Sequence, residues 1–216
     1  MDNKKRKPIY YFIKRILDVI ISLIALVLIS PLFLVVSLAI KKDSKGSVLY
    51  KHKRIGKNGK SIEVYKFRSM YQNSEQQLEN LLKNSKIKDE WEENFKLKND
   101  PRITKVGKFL RRTSLDELPQ FFNVIKGDMS IVGPRPVVSD EIKKFGNDKE
   151  KILSVRPGLT GWWVCNRNED TTYDERIQLE LYYVDKQSFI LDTKCFFKTI
   201  NSLLKKEGEN NGENKL

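Results

Sequence analysis

The chain has few of the residues that build disulfide frameworks and zinc sites. Its 216 residues include two cysteines and one histidine. Cys165 and Cys195 have no CxxC spacing and no partner cluster, which excludes a disulfide scaffold and indicates reduced thiols, as in a cytosolic domain. His52 has no Cys or His at metal-ligand spacing, which argues against a zinc site. Chemistry is therefore left to carboxylates, arginines and lysines.

Larger patterns are also missing. The sequence contains no internal repeat, no helix-turn-helix signature and no basic-aromatic strand pattern, so nucleic acid is not expected as a partner. Its long apolar run exceeds the length of a signal peptide core and is not followed by a small-residue cleavage site. A length of 216 residues predicts one domain with its own core and appended elements.

Positive charge is concentrated near the N-terminus. The formal net charge is +13, and residues 1–60 hold 14 Lys or Arg against three acids. Residues 61–216 are nearly balanced, with 27 basic and 25 acidic side chains. Because the basic excess brackets an apolar segment, attraction to anionic lipid headgroups explains it more simply than attraction to nucleic acid.

The apolar segment runs from Val19 to Ile40, 22 residues without a charge. As a straight helix it would reach about 33 Å, enough to cross the hydrocarbon core of a bilayer. Ser30 and Pro31 lie near its middle, where proline kinks a helix. Both flanks are basic, which is the signature of cytoplasmic loops. Two topologies remain open: a kinked spanning helix, and a re-entrant helix that enters and leaves by one face.

Asp18 lies at the entrance of the apolar segment, four residues after Lys14 and three after Arg15. This spacing predicts an ion pair within one helix. We expect these three residues to anchor the helix at the membrane interface.

A small hairpin is predicted after the membrane segment. Val48–Tyr50 and Ile62–Phe67 have the composition of short strands, and Gly56–Gly59 between them is a turn sequence. Residues 72–98 are charged and predict one or two surface helices. The fold class predicted is helix-rich α+β.

The C-terminal part of the chain is predicted to be helical. One helix is predicted over Tyr173–Gln187, and a second is predicted over Ser188–Lys206. The second is either a packed core helix or an amphipathic helix that lies on the membrane. Residues 207–216 are polar and rich in Asn, which predicts a disordered tail.

Asp116 and Glu117 are two adjacent carboxylates in a strongly basic chain. One interpretation is a capping box, in which Ser114 and Glu117 satisfy backbone donors at a helix start. The other is catalysis, because a helix start also favours an anionic phosphate and keeps an aspartate ionised. An ionised Asp is a competent nucleophile towards phosphorus, and arginines with a divalent cation would spread the transition-state charge. The two roles are compatible.

Several motifs follow one another in an order that resembles a known family. They are Lys14 and Arg15 with Asp18, then Ser30 and Pro31, then Lys66 to Met70, then Asp100 to Pro136, then Pro157 to Trp162. This order resembles the bacterial sugar transferases, the monotopic polyprenol-phosphate phosphoglycosyl transferases, over residues 10–200. Many relatives carry extra spanning helices before this unit, so the expectation here is the minimal catalytic form.

The resemblance implies an enzyme that moves a sugar 1-phosphate from a UDP-sugar to undecaprenyl phosphate and releases UMP. It implies that Asp116 is the nucleophile and forms a covalent phosphosugar intermediate. Glu117 would support metal binding or proton handling, and both carboxylates would approach a catalytic Mg²⁺. The basic residues implied around the pyrophosphate are Lys66, Arg68, Arg111, Arg135 and Arg167.

The resemblance also implies a layout and a location. The family's Ser-Pro pair bends its helix into a re-entrant hairpin, which implies the same bend at Ser30 and Pro31. Residues 1–45 would hold the basic N-terminus and this helix, residues 46–206 the catalytic domain, and residues 207–216 the tail. The catalytic domain would lie on the cytosolic face of the bacterial inner membrane, in contact with its lipid and acting early in the synthesis of capsule, exopolysaccharide or lipopolysaccharide. A homo-oligomer is left open.

One segment departs from the family pattern. Relatives usually read Gly-Trp-Ala-Gln-Val-Asn-Gly-Arg, whereas this chain continues from Gly161 and Trp162 through Trp163 to Arg167 with one residue fewer. The change either reshapes sugar choice or is tolerated. An alternative function, from another class, is a non-catalytic membrane-tethered scaffold that recruits glycan-assembly partners.

Overall fold

Helices dominate the architecture, and two small sheets complete it. The computed structural model describes residues 8–94, 97–168 and 171–213, with side chains described for all of these except 93, 94 and 203–213. The helices are α1 (Pro8–Asp43), α2 (Ser74–Leu81), α3 (Ser85–Asn94), α4 (Lys105–Arg112), α5 (Gln120–Lys126), α6 (Lys149–Leu153), α7 (Trp162–Asn166), α8 (Tyr173–Lys186) and α9 (Phe189–Glu213). The strands are β1 (Leu49–Ile55), β2 (Ser61–Phe67), β3 (Ser130–Val132) and β4 (Gly158–Thr160). The predicted helix-rich α+β class is confirmed.

Helix α1 contains the whole apolar segment, with Pro31 inside it. By length and composition it can cross a membrane, and only 11% of its most apolar 18-residue window is buried. Many of its large side chains are exposed, including Val27, Leu28 and Leu34. An apolar surface of this extent indicates a lipid or protein surrounding. Helix α1 continues without interruption through Ser30, so the re-entrant bend stays a prediction.

The chain packs as two compact units. Unit 1 consists of Met1–Ile29, Lys51–Tyr65 and Pro119–Leu216, and unit 2 consists of Ser30–Tyr50 and Lys66–Leu118. Each unit has its own apolar cluster, so each can position side chains without the other. The predicted functional layout, with boundaries after residues 45 and 206, stays a prediction.

Unit 1 has a core built around β3 and β4, which pair in parallel with Ser130 opposite Gly158 and Val132 opposite Thr160. Its main apolar cluster consists of Ile62, Val64, Val124, Met129, Ile131, Val132, Tyr183, Leu191 and Cys195. The two strands approach so closely beyond this pairing that a Cβ on Gly158 would lie 2.1 Å from the backbone nitrogen of Gly133. Glycine is therefore required at that crossing.

Unit 2 has a smaller core between the second half of α1 and α4. Its buried members are Val36, Ile40, Phe67 and Leu110. Leu115 and Leu118 pack against this cluster from the segment that follows α4. The core thus holds the segment that carries the adjacent carboxylates.

The predicted hairpin is confirmed as the two-stranded sheet β1–β2. Its turn contains two residues with positive φ, Asn58 (56°) and Gly59 (77°), as a tight connection requires. Strand β1 extends to Ile55, beyond the Val48–Tyr50 that was predicted. The prediction was too short because the basic residues 51–54 hide the strand pattern in an exposed face.

Lys14, Arg15 and Asp18 do not form the predicted ion pair within α1. Lys14 Nζ lies 2.8 Å from Asp192 Oδ2 of α9, and Arg15 donates to backbone carbonyls at the end of α5. Asp18 is 5% exposed and accepts hydrogen bonds from the Ser130 hydroxyl and the Ile131 backbone. These three side chains contact α9, α5 and β3 rather than one another, because this face of α1 packs onto the rest of unit 1.

The C-terminal helices lie where the sequence predicts them. Helix α8 starts at a capping box formed by Thr172 and Glu175. Helix α9 has apolar side chains on both its buried and its exposed sides: Leu191 and Cys195 are buried, whereas Ile190 and Phe197 are 70% and 63% exposed. Helix α9 continues to Glu213, past the predicted helix end at Lys206. The disordered tail predicted for residues 207–216 stays a prediction for residues 214–216, which lie outside the described residues.

Candidate active site

Asp116 lies in unit 2, in a 3-10 turn from Leu115 to Glu117, and is only 8% exposed. Ser114 before the turn has a left-handed backbone with φ of 58°, and its side chain makes no cap hydrogen bond. The predicted capping box is therefore wrong, and so is the helix start that would have supported the carboxylate. A single turn forms instead because it brings Leu115 and Leu118 together into the core of unit 2.

Lys66, at the end of β2, is the nearest cation bound to the carboxylate pair. Its Nζ lies 2.6 Å from Oε1 of Glu117. The same ammonium also acts electrostatically on Asp116. Because Glu117 is more exposed than Asp116, it is the accessible member of the pair.

Arg111, in the last turn of α4, is the second cation near Asp116. Its Nε donates to the Ser69 hydroxyl at 2.9 Å, and burial lowers the pKa of its guanidinium, which remains charged. Among the described residues, no side chain or carbonyl accepts a hydrogen bond from the terminal nitrogens of Arg111. These donors are available for an anion.

The electrostatics of Asp116 balance burial against these cations. Burial raises the pKa of the Asp116 carboxyl to about 6, and the charge of Glu117 acts in the same direction. Lys66 and Arg111 act in the opposite direction. Asp116 is therefore mostly ionised at neutral pH, yet it is poorly solvated, which is the condition of a reactive carboxylate.

A buried ion pair between Asp100 and Arg102 precedes α4 in the chain. Arg102 donates from Nε and Nη2 to the two carboxylate oxygens at 2.8 and 2.6 Å, and its guanidinium lies 5.2 Å from the Trp91 ring centre. Burial acts to raise the pKa of Asp100, but the hydrogen bonds from Arg102 offset this and leave the pKa lowered. Neither this pair nor the Ser69 contact was predicted, although the Asp-x-Arg spacing is a usable signal.

Arg68 has a different set of contacts from the one expected of a phosphate ligand. Its terminal nitrogens donate to the backbone carbonyls of Ser44 and Lys45, each at 2.7 Å. It thereby binds the chain directly after the C-terminal end of α1, where a cation is favoured. Its assignment to the pyrophosphate stays a prediction, but these donors are already in use.

Arg135 and Arg167 belong to unit 1. Arg135 lies between two prolines, and its backbone N–H donates to Oε1 of the buried Glu180 at 3.0 Å. Arg167 follows α7 and lies 5.8 Å from the Trp163 ring centre. Of the predicted phosphate ligands, the structure thus brings Lys66 and Arg111 together with the carboxylates within unit 2.

The carboxylate pair fits a magnesium ion that arrives with a phosphate substrate. Among the described residues, no group of three or more His, Cys, Asp or Glu side chains is placed to hold a metal by itself. Mg²⁺ commonly takes one or two protein carboxylates and completes its shell with water and substrate phosphates. Asp116, whose ionised form is poorly solvated, and the adjacent Glu117 meet that description.

The chain is similar to known proteins over most of its length. The family model for bacterial sugar transferases matches residues 9–206. The chain is 44% identical over 209 residues to the undecaprenyl-phosphate galactose phosphotransferase of Salmonella typhimurium, covering 96% of this chain and 44% of that protein. It is 43% identical over 203 residues to the exopolysaccharide production protein ExoY of Sinorhizobium fredii, covering 94% and 90%.

A third relative is the UDP-glucose:undecaprenyl-phosphate glucose-1-phosphate transferase of Escherichia coli K12. It is 40% identical over 196 residues, which is 87% of this chain and 39% of that protein. The chain thus spans less than half of the Salmonella and Escherichia relatives but most of ExoY. The family match covers α1, both units and the carboxylate pair, and we conclude that the chain belongs to the bacterial sugar transferase family.

Proposed function

We propose that the protein transfers a sugar 1-phosphate from a UDP-sugar to undecaprenyl phosphate and releases UMP. The observation that carries this proposal is the buried Asp116 carboxylate, with Glu117, Lys66 and Arg111 around it in one unit. The names of the Salmonella and Escherichia relatives both contain undecaprenyl phosphate, which supports the acceptor, and the Escherichia name also contains UDP-glucose, which supports a UDP-sugar donor. Transfer of this kind begins the membrane stage of a bacterial surface glycan.

The first step is attack by a carboxylate oxygen of Asp116 on the phosphorus that carries the sugar. A bond forms between this oxygen and phosphorus, and the bond from phosphorus to the bridging oxygen breaks. UMP leaves with the bonding electrons, and the sugar phosphate stays on Asp116 as an acyl phosphate. Poor solvation of the carboxylate favours the step, because little water has to be removed before attack.

The second step returns Asp116 to its starting state. A phosphate oxygen of undecaprenyl phosphate attacks the same phosphorus, and the acyl phosphate bond breaks. The product is an undecaprenyl-diphosphate sugar, and the carboxylate is free again. Because the transfer between two anions is divided into two steps, the same cations can stabilise the negative charge that develops in each step.

The neighbouring side chains have separate roles in this mechanism. Arg111, held through Nε by Ser69, directs its remaining donors to the transferring phosphate. Lys66 neutralises charge near the pair and keeps Asp116 ionised. Asp116 and Glu117 would hold Mg²⁺, which when bound neutralises the charge on the pyrophosphate and on the departing UMP. Arg135 and Arg167 are proposed as further ligands of the donor.

The proposed location is the cytosolic face of the bacterial inner membrane, with α1 re-entrant at Ser30 and Pro31. Two observations support it: the long exposed apolar surface of α1, and the change of packing unit between Ile29 and Ser30. The exposed apolar face of α9 would lie in the interface. A domain held at this height meets the lipid phosphate without extracting its prenyl chain.

The test is release of UMP by the detergent-purified protein from a panel of UDP-sugars, with undecaprenyl phosphate and Mg²⁺. We expect release with one preferred donor, dependent on Asp116 and on the lipid. The matched controls are Asp116→Asn, omission of the lipid, and Asp89→Asn on the exposed face of α3. Absence of release from every donor by folded protein would favour the membrane-tethered scaffold instead.

A further inference from the structure

A small cleft, open to solvent, lies in unit 1 beside the first turns of α1. Its lining includes four cationic side chains but one carboxylate, that of Asp18. The cations are Lys14, Arg15, Lys57 and Arg156. None of the residues that line this cleft has a role in the transfer chemistry proposed above.

The one carboxylate in the lining is already engaged. Asp18 accepts from the Ser130 hydroxyl at 2.7 Å and from the Ile131 backbone at 3.1 Å. Lys14 is neutralised by Asp192, at 2.8 Å. The charge of Asp18 acts favourably on Arg15. With Lys14 and Arg15 offset in this way, the charge of Arg156 remains, and the cleft attracts anions.

The two arginines are held side by side at the end of α5. Arg15 donates to the carbonyls of Val124 and Ile125, and Arg156 donates from Nε to the carbonyl of Gly127 at 2.9 Å. They lie close enough that the charge of Arg156 acts unfavourably on Arg15. Within the described parts of the chain, the terminal nitrogens of Arg156 have no hydrogen-bond partner. An anion between the guanidinium groups would accept these hydrogen bonds and relieve the repulsion.

The position of the cleft along α1 indicates the source of that anion. Arg15 lies four residues before Val19, where the uncharged segment begins. Phe12 and Ile16, on the same turns of the helix, are 68% and 44% exposed. A cation beside exposed apolar side chains, one turn outside a membrane segment, matches a ligand that has a phosphate head and an acyl chain.

We propose that this cleft binds the phosphate of an anionic phospholipid headgroup, between Arg15 and Arg156. All the residues that line the cleft belong to unit 1, and none of them is proposed above as a ligand of undecaprenyl phosphate. The choice of a lipid over a soluble phosphate rests on the membrane position given under the proposed function. Arg15 and Asp18 already hold α1 to α5 and β3. A lipid bound between the arginines would further fix the angle at which α1 enters the membrane.

The experiment measures lipid binding by the full chain in an uncharged detergent, by native mass spectrometry and thermal unfolding. The probes are short-chain phosphatidylglycerol, phosphatidylcholine of equal chain length, and inorganic phosphate. The variants are Arg156→Gln, Arg156→Lys and, as a control for charge alone, Lys149→Gln at an exposed position of α6. Unfolding without lipid shows whether each variant is folded.

We expect saturable binding of phosphatidylglycerol, weakened at least tenfold by Arg156→Gln and restored to within threefold by Arg156→Lys. Lys149→Gln should bind as the wild type does. Equal binding by wild type and a folded Arg156→Gln would overturn the proposal, as would equal binding of phosphatidylcholine or of inorganic phosphate. Because the readout is bound lipid, failure here leaves the transferase proposal intact, and failure of UMP release leaves this site intact.

Discussion

At Asp116, burial and the neighbouring cations act on one carboxyl group in opposite directions. Burial has the larger effect and raises the pKa to about 6, against the charges of Lys66 and Arg111. A carboxylate that is ionised at neutral pH but poorly solvated is more reactive and less favourable for the fold. Function and stability are therefore expected to trade against each other at this residue.

The first prediction concerns the stability of Asp116→Asn. Because the folded-state pKa of about 6 exceeds the usual 3.8, the ionised carboxyl destabilises the fold above pH 6, and this effect disappears below pH 4. The substitution should raise the unfolding free energy at pH 8 by up to about 3 kcal/mol. It should have little effect at pH 4. Thermal unfolding at both pH values measures it.

Glu117→Gln is the matched control for this prediction. Glu117 is more exposed and pairs with Lys66 at 2.6 Å, so its substitution should not stabilise the protein at pH 8. An Asp116→Asn variant that is less stable than the wild type at pH 8 would contradict the inference that burial of the ionised Asp116 carboxyl destabilises the fold.

The second prediction concerns the acid limb of kcat/KM, which reports the free enzyme. Activity should fall as the pH drops through about 6, because the Asp116 carboxylate becomes protonated. Lys66→Gln removes a charge that lowers this pKa, so its acid limb should shift to higher pH. Lys105→Gln, at an exposed position of α4, should leave the limb in place. An unshifted limb in Lys66→Gln would argue against Asp116 as the titrating group.

Sequence reasoning named candidate residues for the site but not the partners of those residues. Asp116, Glu117, Lys66 and Arg111 were predicted from motif position, and unit 2 brings them together. The contacts of Arg68 with the end of α1 were not predictable, because they join residues 23 and 24 positions apart. Linear spacing shows which side chains are present, but it does not show which of them tertiary contacts will engage.

Among the elements, β2 and α5 are joined by the amide of one buried residue, Asn123. Its Oδ1 accepts from the Tyr65 backbone at 2.8 Å, and its Nδ2 donates to the Glu63 carbonyl at 2.6 Å. The side chain thus binds the strand edge as a neighbouring strand would. Without it, a backbone donor and a backbone acceptor of β2 would lose their partner.

The third prediction is that Asn123→Asp destabilises unit 1 at neutral pH. The carboxylate cannot donate to the Glu63 carbonyl and would be buried next to it, so we expect a loss of about 2–4 kcal/mol. Asn80→Asp on the exposed face of α2 is the control and should change stability by less than about 0.5 kcal/mol. Chemical unfolding in detergent compares them. Equal effects of the two substitutions would mean that the amide contacts contribute little.

Element boundaries were predictable where local chemistry sets them. The turn at Asn58 and Gly59 and the capping box of α8 follow from residues that favour those conformations locally. The turn at Leu115–Glu117 was not predictable in this way, because its form depends on the core into which Leu115 and Leu118 pack. Strand β1 was predicted too short for a similar reason. Its charged residues hide the strand pattern, and its length depends on pairing with β2.

For the whole molecule, α1 raises the question of how the chain meets the membrane. Its length and composition allow it to cross a bilayer, but basic residues on both flanks favour a cytosolic location for both ends. A break at Ser30 and Pro31 reconciles the two observations. The argument for a re-entrant helix therefore comes from the sequence, and a measurement on the protein in a membrane distinguishes it from a spanning helix.

The fourth prediction is that both ends of α1 are labelled from the cytosolic side alone. Single cysteines at Asn3 and Ser47, in a background lacking Cys165 and Cys195, should react with an impermeant maleimide in inside-out vesicles and not in intact spheroplasts. Replacing Ser30 and Pro31 by leucine removes the proline that kinks the helix, so one end should become reactive from outside. Labelling of the two unaltered ends from opposite sides would establish a spanning helix.

The central claim, that Asp116 is the nucleophile, is tested most directly by intact-protein mass spectrometry after incubation with the preferred UDP-sugar and Mg²⁺ without lipid. We predict a mass increase equal to one sugar phosphate, located on the peptide that contains Asp116 and lost when undecaprenyl phosphate is added. Asp116→Asn should show no increase. Normal lipid-dependent UMP release by Asp116→Asn, or an adduct on another residue that is competent for transfer, would contradict the account.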